Sequence, residues 1–210
     1  MGSADAAFGS AAGLTRLCRL KQSAACIQYP FLCILAFVSR RRRPFLSDRF
    51  FFLTVKLLPW RPALDETDFA LLARSFQAVR GRQRFLLTAW VFLPDHWHAI
   101  LRPAYPLTIS QTLKSIKLTS MNAINQPRRE SAELWQGRFF DHALRTVEVY
   151  LKTVEYIHFN PVRRGLVGAP QDWKWSSAGE YSGVDALAQQ HRCGLTIDRV
   201  GLPADPKARL

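Results

Sequence analysis

The segment LPDHWHAILRP, Leu93 to Pro103, sets two histidines, His96 and His98, on either side of a tryptophan. The flanking runs LLTAWVFLP and AILRP read as extended chain, and the period-two alternation of a strand sends both imidazoles to one face. So placed, they can share one metal ion, although the spacing equally allows one ring in a hydrogen-bond network and the other in solvent. Further along, TVEVYLKTVEYIHFNP carries Tyr156 and Asn160 four residues apart, which on a helix puts them one turn apart on one face. A phenol beside a metal can be a nucleophile, and an amide oxygen can be a hard-oxygen ligand. Each residue also has a plain alternative. Tyr156 can be a core residue with its hydroxyl at the edge, and Asn160, directly before Pro161, can be a helix-end residue. Tyr150 competes as the nucleophile, but at six residues' distance it points to a different face, so the two cannot serve one site.

The elements that must hold these residues can be read on either side. RFFFLTVKLL, Arg49 to Leu58, is rich in aromatic and β-branched residues and predicts a strand. DETDFALLARSFQAVR, Asp65 to Arg80, opens with capping residues and spaces Phe69, Leu72, Ala73 and Phe76 as a helix does. RFLLTAWVFL and HWHAILR predict two strands joined by a tight turn at Pro94 and Asp95. Thr108 to Asn125 predicts a second amphipathic helix with Ile109, Leu113, Ile116 and Met121 inward, and GRFFDHALR, Gly137 to Arg145, a fourth strand. The last helix starts at the cap Thr146 with Glu148 in its first turn and is expected to run until Pro161 stops it. The order β-α-β-β-α-β-α predicts an α+β fold, a ferredoxin-like split βαβ, with an antiparallel sheet and helices on one face.

Composition bounds the partners. The chain has 210 residues, 48% of them hydrophobic, which excludes a wholly disordered protein and gives one domain its own core. Its formal net charge of +13 favours a polyanionic partner, nucleic acid ahead of an anionic membrane surface. Cys18, Cys26, Cys33 and Cys193 form no disulfide framework and no CxxC metal signature, so a reducing cytoplasm is the expected setting. Residues 1–39 include the apolar run FLCILAFV, followed at once by Arg40 to Arg43. That run is well short of the roughly 20 residues of a membrane span, and its charge lies on the wrong side for a secretory signal. It is expected as an ill-defined extension, of the kind an upstream start codon would add, without stable membrane association. Residues 40–183 form the expected domain, and 184–210 a polar, flexible tail with Pro203 and Pro206.

Three motifs in order, LPDHWHAILRP, LWQGRFFDHALR and VEYIHFNPVRRGLV, resemble the REP-associated tyrosine transposases of bacteria, within the single-tyrosine HUH nuclease superfamily. The resemblance spans about Arg40 to Gly183 and includes DWKWSSAGEYSG. It implies that His96 and His98 bind a divalent metal, Mg2+ or Mn2+, that Tyr156 is the catalytic nucleophile, and that Asn160 is the third ligand. The middle residue of the HUH triplet is a bulky tryptophan here, and the long N-terminal extension departs from the family's short start. The implied activity is nicking and rejoining of single-stranded DNA through a 5′-phosphotyrosine. The implied partner is hairpin DNA of repetitive extragenic palindromes, in a cytoplasmic, nucleoid-associated setting; a monomer and a homodimer are both compatible.

The basic residues Lys114, Lys117, Arg128, Arg129, Arg138, Arg145, Arg163 and Arg164 are candidate phosphate contacts, each also readable as a solvated charge. Trp97, Trp135, Phe139 and Phe140 can stack unpaired bases or pack in the core. Two other functions use the same residues. A catalytically silent DNA-binding regulator would need the basic surface without Tyr156, and a hydrolase of small phosphoesters would need the histidines without covalent linkage.

Overall fold

The computed structural model describes residues 48–182 and 193–210. All of them belong to one compact unit, Arg43–Leu210. The N-terminal extension, its apolar run included, lies outside the described residues.

Four strands form the sheet: β1 (Phe51–Lys56), β2 (Phe85–Leu93), β3 (His96–Pro103) and β4 (Phe140–Ala143). Their spatial order is β2-β3-β1-β4, with every neighbouring pair antiparallel. Two interleaved split βαβ units produce this order, as predicted from the element sequence. Strands β2 and β3 are joined by the two-residue turn Pro94–Asp95, with Leu93 opposite His96. The turn is held from outside, because Leu64 N–H donates to Pro94 O and Leu57 N–H to Asp95 O, both at 2.8 Å. The fourth strand is shorter than the predicted Gly137 to Arg145, and ahead of it Trp135 is bridged to Leu57 beyond the end of β1.

The crossover helices are α1 (Glu66–Arg82) and α2 (Ile109–Arg128). Asp65 caps α1 in a reciprocal box with Asp68, and Thr108 caps α2 in the same way with Gln111. Their apolar stripes cover one sheet face, where Phe69, Leu72, Phe76, Leu113 and Ile116 meet Leu53, Val55, Trp97, Ala99 and Leu101. A third helix, α3 (Val147–Arg163), places Tyr150, Val154 and Ile157 against Phe50, Phe52, Val91 and Ile100. These strand residues alternate with the first set, so α3 lies on the opposite face. Helices on one face therefore describes only the two crossovers. Amphipathic spacing shows that a helix has an apolar stripe and does not say which face of a sheet receives it.

Two further expectations change. Pro161 does not stop α3; it lies in the last turn and removes only one donor. The stop is Gly165, at φ 68°, with Gly165 N–H bonding Val162 O at 2.9 Å and Leu166 N–H bonding Pro161 O at 3.0 Å. That is a Schellman closure, which favours glycine at this φ. Nor is the expected polar tail loose over 193–210. Leu195 is fully buried, Asp198 accepts from Leu87 N–H at 2.8 Å and pairs with Arg80, and Leu210 N–H bonds Arg145 O at 3.1 Å. The outer edge of β2 is covered by the DWKWSS segment, through a bridge from Val91 to Ser176 and a bond from Phe92 N–H to Trp175 O.

Candidate active site

The alternation that sends Trp97 into the core sends His96 and His98 to the α3 face, and both are buried. His98 stands opposite Thr54 on β1 and Val91 on β2, stacked on Phe52 with ring centroids 5.3 Å apart. The two Nε2 atoms face each other at 3.1 Å. The Nδ1 atoms are engaged elsewhere. His96 Nδ1–H donates to Asp95 at 2.7 Å, and His98 Nδ1 lies 2.8 Å from Thr54 Oγ1. Among the described residues no three His, Cys, Asp or Glu side chains converge, so a third side-chain donor here has to be of another type.

Burial, followed by the neighbouring His96, holds the His98 imidazole well below its ordinary pKa, so its ring is neutral near pH 7 and keeps a lone pair. The hydrogen bond from His96, against a cost from partial burial, holds the Asp95 carboxyl far below the usual carboxylate range, and Arg164 adds to the effect. An ionised Asp95 can only accept, which assigns a proton to His96 Nδ1 and leaves Nε2 as the ring nitrogen turned towards His98. Two imidazoles with facing Nε2 atoms and occupied Nδ1 atoms are a donor pair of the kind that suits a divalent cation.

Helix α3 brings its residues to the same place. The Tyr156 ring lies 5.5 Å from the His98 ring and 5.9 Å from Phe52, edge-on to both, and is half-buried. Asn160, one turn further, is buried at the same end of the helix. Tyr150 is elsewhere, packed edge-on against Phe50 with its hydroxyl 3.4 Å from that of Tyr181. Of the two tyrosines, Tyr156 is the one that stands beside the His98 ring.

The basic candidates divide. Lys114, Arg129, Arg138 and Arg145 are exposed. Lys117 instead donates to the carbonyls of Gln136 and Gly137 at 2.6 and 3.3 Å, and Arg128 is paired with the buried Asp68. Arg163 lies over the Tyr156 ring at 5.0 Å, and Arg164 grips both oxygens of Asp95 at 2.7 and 3.1 Å. Of the aromatic set, Trp97 and Trp135 are core residues, and Phe139 and Phe140 are half-buried. Sequence reasoning missed Thr54, Phe52 and the second role of Asp95. A carboxylate directly before a metal-type histidine was a usable signal; a threonine inside an apolar strand was not.

Comparison with known proteins bears on the family and the fold. A family model described as "Transposase IS200 like" matches residues 61–160, a span that holds both histidines, Tyr156 and Asn160. The REP-associated tyrosine transposase of Escherichia coli K12 is 32% identical over 141 residues, covering 67% of this chain and 82% of that one. A putative REP-associated tyrosine transposase of Haemophilus influenzae is 30% identical over 152 residues, covering 67% and 85%. Among solved structures, a REP-associated tyrosine transposase bound to a REP hairpin superposes with a TM-score of 0.61 at 28% identity, covering 82% of this chain and 99% of that one. On these similarities, and with the sheet order described above, this chain belongs to the REP-associated tyrosine transposases.

Proposed function

We propose that this chain is a metal-dependent single-strand DNA endonuclease and strand transferase, acting on hairpin DNA of repetitive extragenic palindromes with Tyr156 as nucleophile. The observation that carries the reading is the meeting of Tyr156 with His98, 5.5 Å apart between rings, from a helix and a strand 58 positions apart in the chain. The similarity to a transposase bound to a REP hairpin supports the choice of DNA.

His96 and His98, with Asn160 from α3, would hold a divalent Mg2+ or Mn2+ ion, which supplies Lewis-acid polarisation of the scissile phosphate. Tyr156 Oη attacks phosphorus, the bond to the 3′ oxygen breaks, and that oxygen takes up a proton and leaves as a 3′-hydroxyl. The product is a 5′-phosphotyrosine, and because one phosphoester replaces another, the reverse attack rejoins strands without ATP. Arg163 over the Tyr156 ring sets a positive charge beside the group that must become anionic. The exposed Lys114, Arg129, Arg138 and Arg145 serve as phosphate contacts, in keeping with the net charge of +13. A cytoplasmic, nucleoid-associated setting belongs to the same reading.

The test is a denaturing gel of the full chain with 3′-labelled hairpin DNA and Mn2+ or Mg2+. Wild type should carry the label covalently, and Tyr156→Phe should carry none while still binding the hairpin. A labelled Tyr156→Phe protein would remove the assignment, and an unlabelled wild type that binds DNA would favour a silent regulator.

A further inference from the structure

The nucleophile and the histidine pair arrive on different elements, so something must fix their separation. One unbroken series of contacts does so. Thr54 Oγ1 meets His98 Nδ1 at 2.8 Å, His98 faces His96 at 3.1 Å, and His96 Nδ1–H bonds Asp95 at 2.7 Å. Asp95 then receives both guanidinium nitrogens of Arg164, at 2.7 and 3.1 Å. Arg164 is the C-cap of α3, and its backbone N–H bonds the carbonyl of Asn160 at 3.2 Å. The series therefore begins on β1 and ends at the helix turn that carries Asn160, one turn beyond Tyr156.

We propose that Asp95 and Arg164 are positioning residues, a two-oxygen brace that fixes the end of the Tyr156 helix against the histidine hairpin, and that Arg164 acts through this brace and not on DNA phosphate. This rests on the reading of Tyr156 and the histidines given above. Two points favour a brace. The side chains are 56% and 41% exposed, and ion pairs at that exposure contribute little to stability, so fold maintenance is a poor account of the pair. A bidentate guanidinium–carboxylate pair, in contrast, fixes orientation as well as distance, and both of its ends are themselves tied down. The neighbouring Arg163 points to a different task, over the Tyr156 ring.

Three measurements on the full chain test the idea, with Asp95→Asn, Arg164→Ala, Arg164→Lys and the double variant Asp95→Asn/Arg164→Ala. Amide hydrogen exchange at Arg164 to Leu166 should speed up in Asp95→Asn and in Arg164→Ala, and no further in the double variant. Mn2+ binding to the free protein, followed by electron paramagnetic resonance, should weaken by about 10–100-fold in Asp95→Asn, which loses the partner that orients His96, and much less in Arg164→Ala. At saturating Mn2+ and hairpin DNA, adduct formation should slow by about 10-fold or more in Arg164→Ala with part of the rate recovered in Arg164→Lys, while hairpin affinity and its salt dependence stay at the wild-type values.

Additive exchange effects in the double variant would overturn the brace. So would a salt slope lowered by about one unit in Arg164→Ala, which marks a lost phosphate contact. If wild type forms no adduct, the proposed function fails, and exchange and Mn2+ binding still judge the brace.

Discussion

Under α1 and α2, the sheet presents Leu53, Val55, Trp97, Ala99 and Leu101 to the apolar stripes of two helices. Under α3, the intervening residues of the same strands present Thr54, His96 and His98 among Phe52, Val91 and Ile100. A fully buried phenylalanine such as Phe76, ringed by Phe92 at 5.6 Å and Trp97 at 5.1 Å, contributes about 2–3 kcal/mol. A buried imidazole gives no such gain, and it costs free energy unless its nitrogens find partners. The strand residues under α1 and α2 are thus given to packing alone, while those under α3 combine apolar packing with the histidine pair, and a substitution under α1 and α2 should change stability without changing the candidate site.

The largest separation should come from the histidines. If the proposed function holds, His98→Ala is expected to reduce metal-dependent cleavage to background while hairpin binding stays within about twofold, because the proposed phosphate contacts lie elsewhere. Nicking and filter-binding assays on one preparation decide it, and a parallel loss of both would make the histidine structural. On the other face, Phe76→Ala should cost about 3–5 kcal/mol in denaturant unfolding. Cleavage per folded molecule should not change. A fall in activity beyond the loss of folded protein would show that the faces are coupled.

A smaller effect is expected from His158, on the α3 side, whose Nε2 lies 2.8 Å from Ser177 Oγ. Burial pushes its imidazole down to about 4 from the ordinary 6.5. Below pH 6.5 the unfolded chain takes up a proton that the folded chain refuses. Stability is therefore complete above that value and falls as the pH drops towards about 4, by up to about 3 kcal/mol. Midpoints measured across this window should fall less in His158→Gln than in wild type; identical slopes would show that another group carries the effect. The smallest change is expected for Tyr150→Phe. Its hydroxyl contact with Tyr181 is long at 3.4 Å, so the loss should stay under about 1 kcal/mol and adduct yield within about twofold. Loss of the adduct would return Tyr150 to the chemistry.

Much of this arrangement was legible in the chain. The alternation in HWHAILR set both histidines on one face, the Pro94–Asp95 turn fixed the hairpin, and the caps Asp65, Thr108 and Thr146 stand where the helices begin. What escaped depends on surroundings and not on local pattern. Trp97 and Trp135 have the same sequence character as base-stacking residues, and only the fold buries them. The segment 193–210 reads as polar, yet Asp198 anchors it through Leu87 and Arg80, two residues more than a hundred positions away. Arg128 and Lys117 look like free cations until Asp68 and the carbonyls of Gln136 and Gly137 are brought against them.

Strand β2 has nine residues where β3 has eight, and the register passes from Leu87 opposite Leu101 directly to Ala89 opposite Ile100, leaving Thr88 as the extra residue. That bulge lets Leu87 and Trp90, three apart, both belong to the crossover-helix face. The hairpin thus behaves as a text read in a frame of two. In evolutionary terms it should accept exchanged letters far more readily than altered length, because losing Thr88, or gaining a residue between Trp97 and His98, would interchange the oily and the chemical sides of everything downstream in that strand. Insertions and deletions that survive selection belong in connections outside the hairpin, such as 167–169, where no second face depends on the count.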